Sequence, residues 1–347
     1  MSQFGAEGTR NDGRPRRRPT IDDVAAVAQV SRGTVSRYLN GGRWVSREAS
    51  VAVEGAIRST GYRVNAHARG LATARTGSVA FLLNESTTRL FGDPNFPSLI
   101  SGVAEALSRQ GQTLVLLLAN QPADEKRTEE FLLGGHVDGA LLVSWHGNSS
   151  GMLRNLHRAG FPVVACGIPL GMESEISWVE ADDYGGARSM VSYLRSSGRS
   201  RIAHITGPQD TSGGVRRLQG YRDELGSGFE HSLVANGDYS AASGAAAMRE
   251  LLARRVEFDA VFAANDEMAV AAIAELKEAG RSVPGDVAVG GFDDSAVALT
   301  SDPQLTTMRQ PFGQISAEMV RLLRGRIDGG PRSTLSIDVE LVRRGSA

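Results

Sequence analysis

The 347-residue chain lacks several features that would place it in a membrane, outside the cell or around a metal ion. It has a single cysteine, Cys166, so no intramolecular disulfide can form, which fits a reducing compartment. Its longest apolar stretches, such as 114–119, are too short to span a bilayer, and no apolar run near the N-terminus resembles a secretion signal. The six histidines are scattered without the spacing of metal ligands. We therefore expect a cytoplasmic protein with no bound metal and no membrane partner.

Catalytic motifs are missing as well. Neither of the two lysines, Lys126 and Lys277, follows a glycine, so the chain has no P-loop, and no H-E-x-x-H motif occurs. Asp266 and Asp293 would form a glycosidase pair only if the fold placed them at the required separation. We expect that the protein is not an enzyme and uses no cofactor. A glycosidase and a free-standing sugar-binding protein are the alternatives.

Charge is distributed unevenly along the chain, although the net charge is only −1. Residues 1–76 contain thirteen arginines, no lysine and six acidic residues, a net charge of 13 − 6 = +7, so the remainder carries −8. A basic N-terminal part on an acidic body predicts a polyanionic partner such as DNA. Residues 1–18 are rich in Gly, Arg and Pro and are expected to be a disordered basic arm, which either contacts phosphates or is merely solvated.

Three short helices with capping signals are predicted between residues 19 and 64. Thr20 is placed to cap the first helix with Asp23 as its capping-box partner, Ser31 to cap the second, and Ser46 to cap the third. Only a few residues connect the first two helices, which is typical of a helix-turn-helix whose second helix enters the major groove. A small protein-docking bundle is the alternative interpretation.

The second helix carries most of the side chains expected to touch DNA. Arg32 stands at its N-terminal edge, where a guanidinium can form a bidentate contact with guanine, and Gly33 allows close approach of the backbone. Neighbouring polar side chains are expected to contact phosphates or further bases. The candidate DNA contacts of this region are Thr20, Ser31, Arg32, Gly33, Thr34, Ser36, Arg37, Tyr38 and Asn40.

From residue 78 onward, short apolar runs alternate with amphipathic segments, which is typical of parallel sheets with crossover helices. Eight runs are predicted as strands in two groups of four: 78–83, 113–119, 139–144 and 162–167, then 201–207, 231–237, 260–266 and 287–293. A strand-like segment at 305–311, a helix near 312–327 and a strand-like segment at 334–344 follow. We therefore expect two open α/β units in tandem.

Ligands of open α/β sheets bind beyond the carboxyl ends of the strands. Carboxylates, amides and guanidinium groups hydrogen-bond sugar hydroxyls, and an indole offers a flat apolar face to a pyranose. Trp145 is equally compatible with a core position, and Asp266 more readily caps a helix than binds a ligand. The polar or aromatic residues expected to meet in one cleft are Asn84, Trp145, Gly167, Arg217, Asn265, Asp266, Asp293 and Asp294.

Seven motifs stand along the chain in the order TIDDVAAVAQVSRGTVSRYLNGG, AIRSTGYRVNAHARGLATARTGSVAFLL, VEADDYGGA, RRLQGYR, AVFAANDEMAV, VAVGGFDDS and LTTMRQP. Together they resemble the lac repressor (LacI/GalR) family over nearly the whole chain from residue 19. The resemblance implies an N-terminal all-α helix-turn-helix head and an α/β periplasmic-binding-protein-like body of two open parallel-sheet subdomains. The implied boundaries are 1–18 for the arm, 19–64 for the head, 65–77 for a hinge and 78–347 for the effector-binding domain, whose N-subdomain covers about 78–179 and 309–333 and whose C-subdomain covers about 180–307 and 335–347.

The resemblance also implies a function. The protein is expected to be a homodimeric, nucleoid-associated transcription repressor that binds a palindromic double-stranded DNA operator and responds to a mono- or disaccharide effector. In the hinge, Leu71 is implied to wedge into the minor groove. Whether the effector releases or tightens DNA stays open at this point. The implied contacts are Asn65, His67, Ala68 and Leu71 for DNA, and Phe96, Asp183, Arg217, Asn265 and Asp293 for the effector, with Trp145 added from its strand end.

Three positions and one segment depart from the pattern of the family. Gln29 stands in the turn where glycine is frequent, and Gly70 lowers the helix propensity of the hinge. The segment 91–99 differs at the expected mouth of the cleft, and Gly167 stands where many sugar-responsive members carry aspartate. The last two departures leave the identity of the sugar open.

Overall fold

The computed structural model describes residues 19–39, 44–62, 75–119, 121–147 and 150–347. The chain divides into two compact units, residues 1–75 and residues 76–347, which we call the head and the body. No helix in these described ranges is long and apolar enough to cross a membrane. The predictions that fall outside the described residues are the arm at 1–18, Asn40 and the hinge residues Asn65, His67, Ala68, Gly70 and Leu71.

The described part of the head contains three helices, α1 (Ile21–Ala28), α2 (Arg32–Leu39) and α3 (Arg47–Thr60). Thr20 and Asp23 form the predicted capping box on α1, and Ser46 caps α3 as predicted. Because the apolar residues of each helix recur on one face, they meet in a single small core. This core consists of Val24, Ala25, Ala28, Val35, Val53, Ala56 and Tyr62.

The turn between α1 and α2 needs a left-handed residue. Gln29 takes this place with φ 53° and ψ 39°, and its backbone N–H reaches back to the carbonyls of Ala25 and Ala26. A left-handed conformation costs an ordinary L-residue roughly 1 kcal/mol, whereas glycine adopts it freely. The departure from glycine at this position therefore stores strain in the turn.

The body consists of two lobes, each built on a six-stranded sheet. The elements up to the first crossing between the lobes are β1 (Ser78–Leu83), α4 (Thr87–Gly92), α5 (Asn95–Ser108), β2 (Thr113–Leu118), α6 (Pro122–Leu133), β3 (Ala140–Val143), α7 (Ser150–Arg158), β4 (Val163–Cys166) and β5 (Ser177–Ala181). The next elements are α8 (Asp183–Ser196), β6 (Ile202–Thr206), α9 (Ser212–Leu225), β7 (Val234–Asn236), α10 (Ala241–Ala253), β8 (Ala260–Ala263), α11 (Asp266–Glu278), β9 (Ala288–Asp293), α12 (Ala296–Thr300) and β10 (Thr306–Arg309). The chain ends with α13 (Phe312–Ile327), β11 (Thr334–Ile337) and β12 (Glu340–Val342).

Both sheets are open and almost entirely parallel, as the sequence predicts. The first has the strand order β11-β5-β4-β3-β1-β2, and the second has the order β12-β10-β9-β8-β6-β7, with only β12 antiparallel to its neighbour β10. Since successive strand residues point to opposite faces, each sheet separates two apolar clusters. In β1, for example, Phe81 and Leu83 face one cluster while Ala80 and Leu82 face the other.

The C-terminal segment differs from the expectation in its sheet assignment. The single strand-like segment at 334–344 is two strands, because β11 pairs with β5 of the first sheet and β12 pairs with β10 of the second. All of β5 and β11 belongs to the first lobe, so its two segments extend a few residues beyond the approximate predicted boundaries at 179/180 and 333/335. Likewise, only part of the strand predicted at 231–237 is a strand. This part is β7, and a 3₁₀ turn at His231–Leu233 precedes it. Apolar periodicity predicts a strand but not the strand with which it pairs.

Candidate functional site

The exposed face of α2 presents the predicted DNA contacts of the head. Val35 is completely buried and Tyr38 packs against the core, so the opposite side of the helix is turned to solvent. Arg32, Gly33 and Arg37 are exposed there. This face can offer two guanidinium groups and, at Gly33, a position without a side chain to a groove of DNA.

The polar groups around this face hold one another in place. The backbone N–H of Thr34 donates to Ser31 Oγ at 3.1 Å, which caps α2, and Arg37 Nε donates to the carbonyl of Gly33 at 3.2 Å. Arg32 Nε lies 3.8 Å from Asp22 of α1. Thr20 is engaged in the cap of α1, and Ser36 is half-buried. The helix therefore has a fixed N-terminal edge, with Arg32 free of any shorter ion pair among the described residues.

In the body, a cavity of about 160 Å³ lies where the carboxyl ends of the strands of both sheets converge. All six side chains predicted to contact an effector line it, although they come from six different segments. They are Phe96, Trp145, Asp183, Arg217, Asn265 and Asp293. Asn84, Asp266 and Asp294, which were also expected in the cleft, are absent from its lining.

Arg217 is the central cation of this cavity. Its Nε donates to Asp183 Oδ1 at 2.8 Å, its Nη1 lies 3.6 Å from Asp293 and donates to the carbonyl of Ala264, and its guanidinium stands 3.7 Å above the ring of Phe292. Burial acts to lower the pKa of Arg217, but the two carboxylates outweigh it and raise that pKa. The arginine is thus permanently charged and fixed in orientation.

Asp293 is shared by the two lobes. Its Oδ2 accepts a hydrogen bond from Asn95 Nδ2 of the first lobe at 2.7 Å, and its Oδ1 accepts one from Gln310 Nε2 at 2.6 Å. Burial raises the pKa of Asp293 to about 7, even though Arg217 opposes the shift. Burial also raises the pKa of Asp93, which lines the cavity nearby. The cavity therefore holds carboxylates whose ionised forms would be stabilised by a hydrogen-bond donor on a ligand.

Asn265, rather than Asp266, caps α11. Asn265 Oδ1 accepts the backbone N–H of Met268 and so caps α11, while its Nδ2 donates to the carbonyl of Tyr239 at 2.9 Å. Asp266 is not the cap. It is fully buried and accepts hydrogen bonds at 2.7 Å from the backbone of Ser295 and at 2.5 Å from the hydroxyl of Thr307. Burial raises its pKa to about 8.

Aromatic residues form the rest of the wall. Trp145 is buried, and no acceptor among the described residues lies within hydrogen-bond distance of its indole N–H. Tyr239 has a left-handed φ of 72°, and the guanidinium groups of Arg89 and Arg217 lie 5.4 Å and 5.8 Å from its ring centre. Strained backbone of this kind persists only where the surroundings enforce it.

Sequence reasoning misses several polar lining residues, among them Arg89, Tyr239 and Gln310. Gln310 directly follows β10 and Tyr239 stands three residues after β7, so a stricter use of the strand-end rule would have found both. Arg89 stands four residues after Glu85 and four residues before Asp93. Its guanidinium nitrogens lie 3.3 Å from the carboxylate of Glu85 and 3.6 Å from that of Asp93. That spacing is the signal by which it was recognisable.

Gly167 is required by the geometry of the cleft. It has a φ of +82°, and a Cβ atom built on it would lie 2.7 Å from Ser212 Oγ of the second lobe. An aspartate here would meet both backbone strain and a steric clash in this closed arrangement. The lack of a Cβ at residue 167 thus leaves room for Ser212 Oγ beside the end of β4.

Comparison with known proteins agrees with this geometry. A sequence model of bacterial regulatory proteins of the lacI family matches residues 20–65, and one of the periplasmic binding protein-like domain matches residues 191–347. The chain is 46% identical over 318 residues to the HTH-type transcriptional regulator CelR of Thermobifida fusca, covering 90% of this chain and 93% of the relative. It is 33% identical over 342 residues to the ribose operon repressor of Escherichia coli (strain K12), covering 94% of this chain and 99% of the relative.

Two solved structures are also similar. A transcriptional regulator CelR–cellobiose complex has a TM-score of 0.76 and 42% identity, covering 95% of this chain and 100% of that chain. The lac repressor dimer bound to operator and the anti-inducer ONPF has a TM-score of 0.83 and 24% identity, covering 95% of this chain and 99% of that chain. At this identity the second likeness concerns the fold alone.

Proposed function

The chain belongs to the LacI family of bacterial regulatory proteins, and we propose that it is a repressor released from its operator by a sugar bound in the body cavity. Members of this family are DNA-binding transcriptional regulators, which accounts for the helix-turn-helix head. One observation carries the effector part of the proposal: six side chains from separate segments, expected at a ligand site, line one cavity.

For DNA, the proposal assigns the exposed face of α2 to the major groove, with Arg32 reading a guanine. Support comes from the basic charge of the N-terminal part and from the exposure of Arg32, Gly33 and Arg37. Thr20, Ser31, Thr34, Ser36, Tyr38 and Asn40 would add phosphate or base contacts, as would Asn65, His67, Ala68 and Leu71 of the hinge. A palindromic operator requires two heads, so the working form would be a homodimer in the cytoplasm.

For the effector, the cavity offers hydrogen-bond partners and apolar walls suited to a sugar. Asp183 and Asp293 can accept hydrogen bonds from sugar hydroxyl groups, Arg217 donates in a fixed fork, and the Trp145 indole N–H is available as a further donor. Phe96 adds an apolar wall, and Asn265 would contribute chiefly by capping α11.

Cellobiose is the first candidate sugar, because a relative with 42% identity is described in complex with it. Cellobiose consists of two glucose rings, so glucose is the second candidate. Glucose and cellobiose belong together in any ligand panel.

We also propose that the protein is not an enzyme. The imagined glycosidase pair lacks support, because Asp266 does not line the cavity and both of its carboxylate oxygens accept hydrogen bonds from within the protein. The groups that line the cavity can hold a ligand by hydrogen bonds and apolar contacts. Product formation on incubation with disaccharides would contradict this part of the proposal.

A mobility-shift assay on the DNA upstream of the protein's own gene tests the whole proposal. We expect specific retardation that cellobiose or another member of a mono- and disaccharide panel abolishes. Arg32→Ala should weaken specific DNA binding but keep sugar binding, whereas Asp293→Asn should weaken sugar binding but keep DNA binding. Tighter DNA binding in the presence of the sugar would reverse the polarity, and sugar binding without any DNA binding would indicate a free-standing sugar-binding protein.

A further inference from the structure

Outside the cavity lining, a histidine connects the two lobes. His146, two positions beyond Ser144, has its Nδ1 3.0 Å from Asp210 Oδ2 of the second lobe and its Nε2 3.3 Å from Glu85 Oε1 of the first. The backbone N–H of Gly147 also donates to the carbonyl of Asp210 at 2.8 Å. We call Glu85, His146 and Asp210 the clasp.

The geometry of the clasp depends on a proton. A neutral imidazole carries one N–H and can donate to only one of two carboxylates, and its other nitrogen then turns a lone pair toward an oxygen. A protonated imidazole donates to both at once. The side chains of His146, Glu85 and Asp210 are 24%, 13% and 37% exposed, so their charges are partly but not fully screened.

The surroundings keep Glu85 ionised. Ser144 Oγ donates to Glu85 Oε1 at 2.6 Å, and Arg89 Nε lies 3.3 Å from the same oxygen. Burial would raise the pKa of Glu85, but the hydrogen bonds from His146 and Ser144 and the charge of Arg89 bring it below its usual value. The hydrogen bond to Glu85, followed by that to Asp210, raises the pKa of His146 against the opposing effect of burial.

We propose that the clasp is a proton-linked latch, so that closing the lobes takes up a proton on His146 and the closed, sugar-bound form is favoured at lower pH. The inference rests on the proposed function, because it requires that the sugar binds the closed cleft. In an open cleft His146 would keep Glu85 but lose Asp210. Its pKa is then higher in the closed form, so the advantage of closure is present at low pH and is lost as pH rises through the closed-form value.

Two other groups respond to pH with the same sign. Burial in the closed cavity raises the pKa of Asp93 and of Asp293, so both would also take up protons on closure. Variants are therefore needed to separate the pH effect of the clasp from that of these two aspartates. His146→Gln keeps a side chain of similar reach that cannot titrate, and Asp210→Asn removes only the charge on the second lobe. His157→Gln is the matched control, because His157 is an exposed histidine on α7.

The first test needs no sugar. Ring resonances of ¹³C-labelled histidines in the full chain are followed by NMR from pH 5 to pH 9, and His146 is assigned by its absence in His146→Gln. We expect the His146 imidazole to lose its proton at a higher pH in the wild type than in Asp210→Asn. Superimposable titration curves in these two proteins would overturn the latch.

The second test measures the dissociation constant of cellobiose at pH 6 and pH 8. An ion pair of this exposure changes an equilibrium by up to about fivefold. We expect wild type and His157→Gln to gain two- to fivefold more affinity at pH 6, relative to pH 8, than His146→Gln gains. Equal gains in all three proteins would contradict the latch. Failure of cellobiose to bind any of them would instead remove the proposed effector, while the NMR titration would still decide the clasp.

Discussion

Replacing Arg217 by leucine should strongly destabilise the body, because it would leave two buried carboxylates without their cation. The side chains of Arg217, Asp183 and Asp293 are only 7%, 8% and 5% exposed. Removing one partner of a buried ion pair costs about 3–5 kcal/mol, and the guanidinium contact with the ring of Phe292 is lost as well. We expect the free energy of unfolding to fall by about 3–5 kcal/mol at pH 8.

The loss should be smaller at pH 6. Burial raises the pKa of Asp293 to about 7 while Arg217 is present to oppose the shift, so the pKa rises further when the arginine is removed. A carboxyl whose pKa is higher in the folded state stabilises that state at low pH, and this contribution disappears as pH rises through the folded-state value. In the wild type, the stabilisation that protonated Asp293 provides is lost by about pH 7. In Arg217→Leu, this stabilisation continues to decrease above pH 7. The destabilisation should therefore grow by up to about 1.4 kcal/mol per pH unit between these conditions.

Urea unfolding followed by circular dichroism at pH 6 and pH 8 measures both effects. Arg222→Leu is the control, because Arg222 lies on the same helix but is exposed, and the loss of its contact with the ring of Phe229 should cost no more than about 1 kcal/mol. A loss below about 1 kcal/mol for Arg217→Leu, or the same loss at both pH values, would refute the assignment of Arg217 as the counter-charge of this cavity.

Three further predictions concern the head and the cleft. Arg32→Ala should cost about 1–3 kcal/mol of discrimination at one base pair per half-site, measured by competition with base-substituted operators, and an equal loss on random DNA would make Arg32 a phosphate contact. Gly167→Ala should weaken sugar binding at least about tenfold, because the added Cβ would clash with Ser212 Oγ and the backbone would be strained by about 1 kcal/mol. Adding Ser212→Ala to this variant should restore part of the affinity in calorimetric titrations. Gln29→Gly should maintain or raise the melting temperature of the head, whereas Gln29→Val should lower it, because the turn needs a left-handed residue.

The head and the strands could be predicted from the sequence because their signals are local. Thr20 and Ser46 stand immediately before apolar residues at helical spacing, and a cap depends on only three or four neighbours. The apolar runs of a parallel sheet are likewise visible without a partner. Since polar residues must follow such runs where the chain leaves the core, Trp145 and Asp293 could be placed at the cavity before the fold was known.

The features of the fold and of the site that could not be predicted depend on contacts between segments that are distant in the sequence. Asp210 and Glu85 are 125 positions apart, and nothing near either residue indicates that His146 lies between them. The assignment of β11 to the first sheet follows from its pairing with β5, which apolar patterning cannot specify. Asn265 and Asp266 are adjacent and chemically similar, so only the direction in which each side chain leaves the backbone decides which one caps α11.

Asp293 explains how a ligand could influence both lobes from one position. Its carboxylate already accepts hydrogen bonds from Asn95 of the first lobe and from Gln310, and it lies 3.6 Å from Arg217 of the second. A carboxylate has about four acceptor positions, so a sugar hydroxyl can join these partners without displacing them. A ligand shifts the equilibrium between open and closed lobes only by the difference in its affinity for the two forms. Because opening the cleft would remove Asn95 from Asp293 but leave Arg217 in place, the closed form is the one that offers the sugar a complete set of fixed partners.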